Sequence, residues 1–249
     1  MTSHLPGGEP ESVVKTRTSA RGAEPCHERQ TKMTISDRTV AIVGTGNIGS
    51  RLAANFAAGG QDFLLAGRDQ EAARKIASDL DGRAEVVSID EAVDRAGVLV
   101  FAVWLDAFEQ LIAQYGERLA GKVIVDPSNP VGPDDAGNYR KVIGVQESSG
   151  QILAGLLPAG ARLVKAFGTL SAPTLSAAAR REPERAVQFY AADDAAAGDL
   201  VADLIRAGGY EPVRVGGLDQ SIRIEMFGDL HEYGALGRVV TKSEALAAV

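Results

Sequence analysis

The chain has 249 residues, 33 acidic against 26 basic side chains, three histidines and one cysteine. That length fits one large or two small domains around a substantial core. A net charge of −7 offers no basic face to nucleic acid or an anionic membrane, and one cysteine excludes an internal disulfide or a cysteine-based zinc centre. The longest aliphatic–aromatic run, residues 98–105, is far short of the ~20 apolar residues of a membrane span. What is left is a cytoplasmic protein that handles small molecules and carries no metal.

Residues 1–33 read as a disordered N-terminal extension. Pro6, Pro10 and Pro25 interrupt a stretch with almost no apolar residues, which cannot bury enough surface to offset its ordering. The acids Glu9, Glu11, Glu24 and Glu28 argue against a transit peptide, and no apolar stretch marks a secretory signal. Cys26–His27 is conceivable as a metal-ligand pair, but the tail reading is preferred, and Met33 is expected to be the native start.

From Thr39 onward strands and helices alternate. Thr39-Val40-Ala41-Ile42-Val43 is a continuous apolar run of the kind that forms a fully buried parallel strand. Helix is expected over 47–58, ended by Gly59-Gly60. Strand follows at 62–66, then helix over 69–80 with Asp69 as N-cap. A short strand at 85–87 precedes Ser88 and Glu91, spaced as a capping box for the next helix. Strand 98–103 leads to a helix with Phe108, Leu111, Ile112, Tyr115 and Leu119 on one face. Strand 122–125 closes the first run. The second run is expected as helix 149–157, strands 162–167 and 187–191, helix 195–207, strand 211–215, an amphipathic helix 218–227 and one short helix within 238–249. Such alternation needs crossover connections and specifies an α/β, Rossmann-type, doubly wound and mostly parallel sheet with a smaller C-terminal α/β extension. Residues 34–160 are expected to form one domain, and residues 161–249 a smaller part for substrate binding and dimerisation.

Gly44-Thr45-Gly46-Asn47-Ile48-Gly49 matches G-x-G-x-x-G between a buried strand and a helix, the context that gives this motif meaning. Gly44 allows the tight turn, Gly46 the approach of a pyrophosphate, and Gly49 close helix–strand packing. The helix N-terminus supplies free N–H groups to the phosphates. About 20 residues on, an NAD site carries an acid for the ribose 2′-hydroxyl. Here Ala66-Gly67-Arg68 stands instead: Gly67 removes bulk where an extra phosphate would sit, and Arg68 offers a planar donor fork, so NADP(H) is the expected dinucleotide. Arg74 and Lys75 either assist or form a solvated face.

Ala102, Val103 and Trp104 end a strand at the same edge and are candidates for the wall against a nicotinamide; Trp104 is alternatively core. In Asp126-Pro127-Ser128-Asn129-Pro130, Asn129 either bonds the carboxamide, with Pro130 bounding the turn, or makes a local Asx-type turn. His231, Tyr233 and Tyr139 are the candidate proton donors, each more readily structural. Lys165 either contacts substrate or is an edge-facing charge, the second reading being preferred. No catalytic side chain is assigned.

The order of the Thr39–Gly49 stretch, Ala66-Gly67-Arg68, residues 123–130, Leu163-Val164-Lys165-Ala166-Phe167 and Gly217-Leu218-Asp219-Gln220-Ser221-Ile222-Arg223-Ile224-Glu225 resembles the coenzyme F420-dependent NADP oxidoreductases. The resemblance spans residues 34–227. It implies a small Rossmann enzyme that moves hydride between NADP(H) and the deazaflavin of coenzyme F420, the acceptor lying over the nicotinamide between the two parts of the chain. Two departures fall where that acceptor would bind: Gly168, where family members usually have Asn, and the segment 227–237. Alternative functions are NADPH-dependent reduction of another small molecule (a flavin, imine or ketone) and non-catalytic NADP(H) sensing. A homodimer is expected, with no nucleic-acid or membrane partner.

Overall fold

The structure, a computed structural model, describes residue 1 and residues 39–249. The expectations for the N-terminal extension, Cys26 and His27 included, lie outside the described residues. In chain order the elements are β1 (Val40–Val43), α1 (Asn47–Ala58), β2 (Phe63–Ala66), α2 (Gln70–Ser78), β3 (Ala84–Val87), α3 (Ile89–Arg95), β4 (Val98–Phe101), α4 (Leu105–Tyr115), β5 (Val123–Asp126), β6 (Val131–Pro133) and β7 (Tyr139–Lys141). Then follow α5 (Ser149–Leu156), β8 (Arg162–Ala166), α6 (Ala172–Ala177), β9 (Val187–Ala192), α7 (Ala195–Ala207), β10 (Glu211–Gly216), α8 (Ser221–Ile224) and α9 (Lys242–Leu246).

Eight strands form one sheet in the order β10-β9-β8-β5-β4-β1-β2-β3. The six from β8 to β3 are mutually parallel, and β9 joins antiparallel to β8 with β10 parallel to β9. This is the Rossmann order with a reversed pair added at one edge. Strand pleating divides the core cleanly. Val40, Ile42, Val98, Val100, Val123 and Val125 face the layer with α1, α2, α6 and α7. Ala41, Val43, Leu99, Phe101 and Ile124 face α3, α4 and α5. Burial on both faces explains why these strands are unbroken apolar runs. Phe56 of α1 illustrates the packing. Fully buried, it meets Phe63 and Phe167 edge-on, with ring centroids 6.3 and 5.7 Å away. Burial of such a ring is worth about 1.5–3 kcal/mol.

Asp69 caps α2 by accepting from the N–H groups of Glu71 and Ala72. Ser88 caps α3, but Glu91 does not complete the box; it pairs with Arg95 at 2.6 Å. The complete capping box belongs to α9, between Thr241 and Glu244. The expected helix 218–227 is shorter: a 3-10 turn over Leu218–Gln220 leads into α8, which stops at Ile224. It stops because Glu225 and the residues after it are drawn into fixed contacts. The hairpin β6–β7 and helix α6 were not foreseen; both are six residues or shorter and lack sustained periodicity. No helix among the described residues is long and apolar enough to cross a membrane.

Candidate functional site

The parallel strands β2, β1, β4, β5 and β8 lie side by side and end at one edge of the sheet. Loops leaving that carboxyl edge gather the residues singled out by sequence. In such sheets ligands bind beyond the strands' carboxyl ends.

The loop after β1 is held by Gly44 N–H donating to Ala66 O at 2.8 Å, while Ala102 N–H donates to Val43 O at 2.8 Å. The three glycines do different work. Gly44 has φ +117°, and a Cβ there would come within 2.3 Å of Ala102 O. A Cβ at Gly49 would come within 1.9 Å of Gly44 O, so this glycine sets helix against turn. Gly46 is different: a Cβ on it would meet nothing within 4 Å. Its φ of −78° is open to any residue, so neither backbone nor packing requires glycine there. The space above Gly46 is the cradle a pyrophosphate would fill. Helix α1 opens on Gly46 with no side-chain cap and no acid in its first turn. Its first N–H groups and positive dipole end therefore face that space. Thr45 and Ile48 are half-buried and Asn47 exposed, the carbonyl of Asn47 accepting from Arg51.

After β2, Gly67 is buried, and the side chain it lacks would meet Thr45 at 3.0 Å. Its glycine therefore lets β2 pack under the fingerprint loop. Arg68 is exposed, and among the described residues its guanidinium has no hydrogen-bond or ion-pair partner. Asp69, the acid nearest an NAD-type position, is committed to capping α2.

After β4, Ala102 and Val103 are half-buried against Gly44. Trp104 stands at the N-cap of α4 and is 57% exposed, so it is not core. Its ring lies 6.4 Å from that of Tyr139 on β7, itself exposed. After β5, Asn129 is engaged on both sides of its amide: Nδ2 donates to Gly168 O at 3.0 Å, and Oδ1 accepts from Met226 N–H at 2.6 Å. Pro130 is buried, and its carbonyl accepts from Val142 N–H. Asn129 thus ties the loop after β5 to the turn after β8 and to the segment after α8.

Lys165 corrects the sequence reading. It was expected as an edge-facing charge, yet β8 lies between β5 and β9, and Lys165 is 1% exposed. Its register partner on β5 is Asp126. The ammonium donates to Asp126 Oδ2 at 2.6 Å, Ser128 O at 2.7 Å and Ser149 Oγ at 2.8 Å. Glu225 Oε1 is 3.7 Å away and accepts from Ser148 Oγ, Ser149 Oγ and Gly150 N–H at the start of α5. Burial alone would raise the Glu225 carboxyl; the Lys165 charge, the Gly150 N–H and the two hydroxyls outweigh it and hold it below the ordinary carboxylate value. Two acidic side chains, Asp126 and Glu225, thus share the one lysine. Glu225 Oε2 and Ser128 Oγ are buried there without partners. The one sequence signal for this cluster was a lysine inside an apolar strand of a doubly covered sheet.

His231 is not presented as an acid. It is 1% exposed and accepts from Tyr233 N–H through Nδ1 at 3.0 Å. Burial pushes its pKa down to about 4, against the smaller upward effects of Glu232 and Gly168, so the ring is neutral at pH 7. Glu232 accepts from Ser171 N–H and Thr174 Oγ1 at the start of α6. The segment 225–237 is therefore pinned over the ends of β5 and β8. Tyr233, on the same segment, is exposed.

Residues 39–130 match the family described as NADP oxidoreductase, coenzyme F420-dependent. The chain is 29% identical over 198 residues to the F420-dependent NADP reductase of Methanothermobacter thermautotrophicus, covering 76% of this chain and 84% of the relative. It is also 29% identical over 186 residues to the metalloreductase STEAP3 of Rattus norvegicus, covering 75% of this chain but spanning only 35% of that protein's length. Among solved structures, a hypothetical protein from Sinorhizobium meliloti superposes with a TM-score of 0.71 at 28% identity, covering 82% of this chain and 95% of its own. The similarity to the coenzyme F420-dependent NADP oxidoreductases is thus carried by residues 39–130, the stretch that holds the fingerprint loop, Arg68 and Asn129 on a Rossmann-type sheet.

Proposed function

We propose that the protein is an NADP(H)-dependent oxidoreductase whose hydride partner is a deazaflavin of the coenzyme F420 type. The observation that carries the dinucleotide reading is the open space at Gly46 before an uncapped helix, with an unpartnered arginine after β2. The Gly44–Gly49 loop would bind the pyrophosphate, and Arg68 the phosphate that distinguishes NADP(H) from NAD(H). Ala102, Val103 and Trp104 would wall the nicotinamide end, with Asn129 and Pro130 fixing the loop beside it. Bound NADPH would supply the hydride.

The chain's own task is positioning. The buried Lys165 cluster and the two-sided bonding of Asn129 fix the loops after β5, β8 and α8 relative to one another. His231, neutral and buried, moves no proton. A deazaflavin needs no side-chain acid, because solvent can protonate its ring nitrogen, whereas an imine or ketone acceptor would need one. This favours the deazaflavin over those alternatives. The family resemblance and the F420-dependent relative point the same way. We further propose a homodimer, which light scattering would test.

The test follows absorbance at 340 nm with NADPH and, in turn, coenzyme F420, flavin mononucleotide and no acceptor. Bleaching with F420 is expected. Bleaching with flavin alone would shift the acceptor to flavins, and tight NADPH binding without turnover on any acceptor would make the protein a sensor.

A further inference from the structure

Phe227 occupies a position that the fold alone does not explain. Its backbone has φ +74°, the left-handed region, while its ring is 51% exposed. A bulky side chain in that region is an outlier whose cost is normally offset by packing. Here half the ring packs on nothing.

The surrounding segment forces the conformation. On one side Glu225 is locked into the Lys165 cluster, and Met226 N–H donates to Asn129 Oδ1. On the other, Gly228 N–H donates to Glu225 O at 2.8 Å, and a Cβ on Gly228 would come within 2.3 Å of Ile222 O. Leu230 N–H donates to Arg223 O, and Arg223 pairs with Asp229. The segment is thus over-determined on both sides of Phe227, yet about half of the side chain is left in solvent. Glycine would relieve the backbone. Its place is also specific: one residue from the bond to Asn129, beyond the carboxyl ends of β5 and β8, where the nicotinamide end of the dinucleotide is placed above.

We propose that Phe227 is a specificity-determining residue of the acceptor site, held in a strained conformation to stack its ring on a planar heteroaromatic hydride acceptor of the flavin or deazaflavin type. The inference rests on the proposed function and deepens it. An aromatic ring presents an apolar, polarised face to a flat conjugated ligand without dictating its polar edges. It selects for planarity, which separates flavin-like acceptors from small imines and ketones.

The test compares the wild type with Phe227→Gly and Phe227→Tyr. Coenzyme F420 and flavin mononucleotide are titrated by quenching of their own fluorescence, NADPH is titrated separately, and Tm is read for each protein. Phe227→Gly is expected to weaken binding of the planar acceptor by about threefold to tenfold. Its NADPH affinity should stay within twofold and its Tm should be unchanged or higher, because the left-handed backbone is relieved. Phe227→Tyr should retain acceptor binding. Acceptor affinity within twofold of wild type in Phe227→Gly, or a fall in Tm with binding intact, overturns the proposal and makes the ring structural. If the wild type binds NADPH but neither planar acceptor, the acceptor reading fails and this proposal fails with it; loss confined to Phe227→Gly leaves that reading standing.

Discussion

Replacing Lys165 with methionine removes the one cation from a buried cluster while nearly conserving volume. In the native protein its ammonium makes three hydrogen bonds of 2.6–2.8 Å and stands 3.7 Å from Glu225. Without it, Asp126 and Glu225, 0% and 1% exposed, are left as buried carboxylates. Asp126 is the worse placed, since only Ser128 N–H remains on Oδ1, whereas Glu225 keeps its three donors at α5. Breaking a buried pair from one side costs about 3–5 kcal/mol. That is a large part of the roughly 5–15 kcal/mol that holds a domain folded. The pH dependence should also change sign. In the wild type the Glu225 carboxyl lies below its ordinary value of 4.5, so the unfolded chain binds more protons just below that pH and stability rises with pH there. In Lys165→Met, burial is no longer outweighed by the ammonium. The folded state then binds more protons than the unfolded chain, and stability falls as pH rises above the ordinary value. Urea denaturation followed by circular dichroism between pH 4 and 8 reads both effects. Adding Asp126→Asn should restore part of the loss at pH 7. A loss under about 1 kcal/mol with the wild-type slope would refute the account, because it would mean the ammonium is solvated rather than embedded.

The glycines give a separable pair. Gly46→Ala should leave urea stability within about 0.5 kcal/mol, since nothing stands within 4 Å of the added methyl group, yet weaken NADPH binding at least about tenfold by filling the pyrophosphate approach. Gly49→Ala should instead destabilise the protein, its Cβ falling 1.9 Å from Gly44 O; equal behaviour of the two variants would remove the distinct roles given to them. Arg68→Ala should weaken NADPH binding about tenfold or more and leave NADH binding nearly unchanged, as isothermal titration would show. For His231 the folded pKa of about 4 lies below the ordinary 6.5, so its contribution is present above pH 6.5 and is lost as pH falls towards 4, amounting to as much as about 3 kcal/mol. His231→Gln should flatten that part of the stability profile, and kcat should show no step between pH 5 and 8 attributable to this residue.

What could be read from sequence follows a physical division. Strands β1, β4 and β5 and helices α1, α4 and α7 are specified by residues adjacent to one another along the chain: unbroken apolar runs, helical spacing, a glycine or an N-cap at the boundary. The limits of all but α4, for which the sequence offered a face and not its ends, were legible to within a residue or two. The reversed β9–β10 pair was legible as strand but not as direction, because orientation in a sheet is decided by where α6 and α7 pack and not by the strands' own composition.

The site divides in the same way. Gly44–Gly49 and Arg68 each belong to one loop, and one loop's residues announce themselves. The Lys165 cluster joins Asp126, Ser128, Ser149 and Glu225 across as many as 99 positions, and Asn129 reaches 97 positions to Met226. No spacing rule connects residues so far apart. The available clue was a misfit: a lysine in the apolar run Leu163–Phe167, whose burial obliges partners somewhere in the chain. Once β8 is known to be interior and in register with β5, Asp126 follows from the pairing of neighbouring strands. Glu225 does not, because its place depends on α8 ending where it does. That ending is itself set by the carboxylate binding the start of α5, so helix limit and charge cluster are one event. The expected helix 218–227 therefore failed because the attraction of Glu225 to α5 and Lys165 overrides the local helical preference of residues 225–227, whereas the expected edge-facing Lys165 failed because β9 and β10 extend the sheet beyond β8.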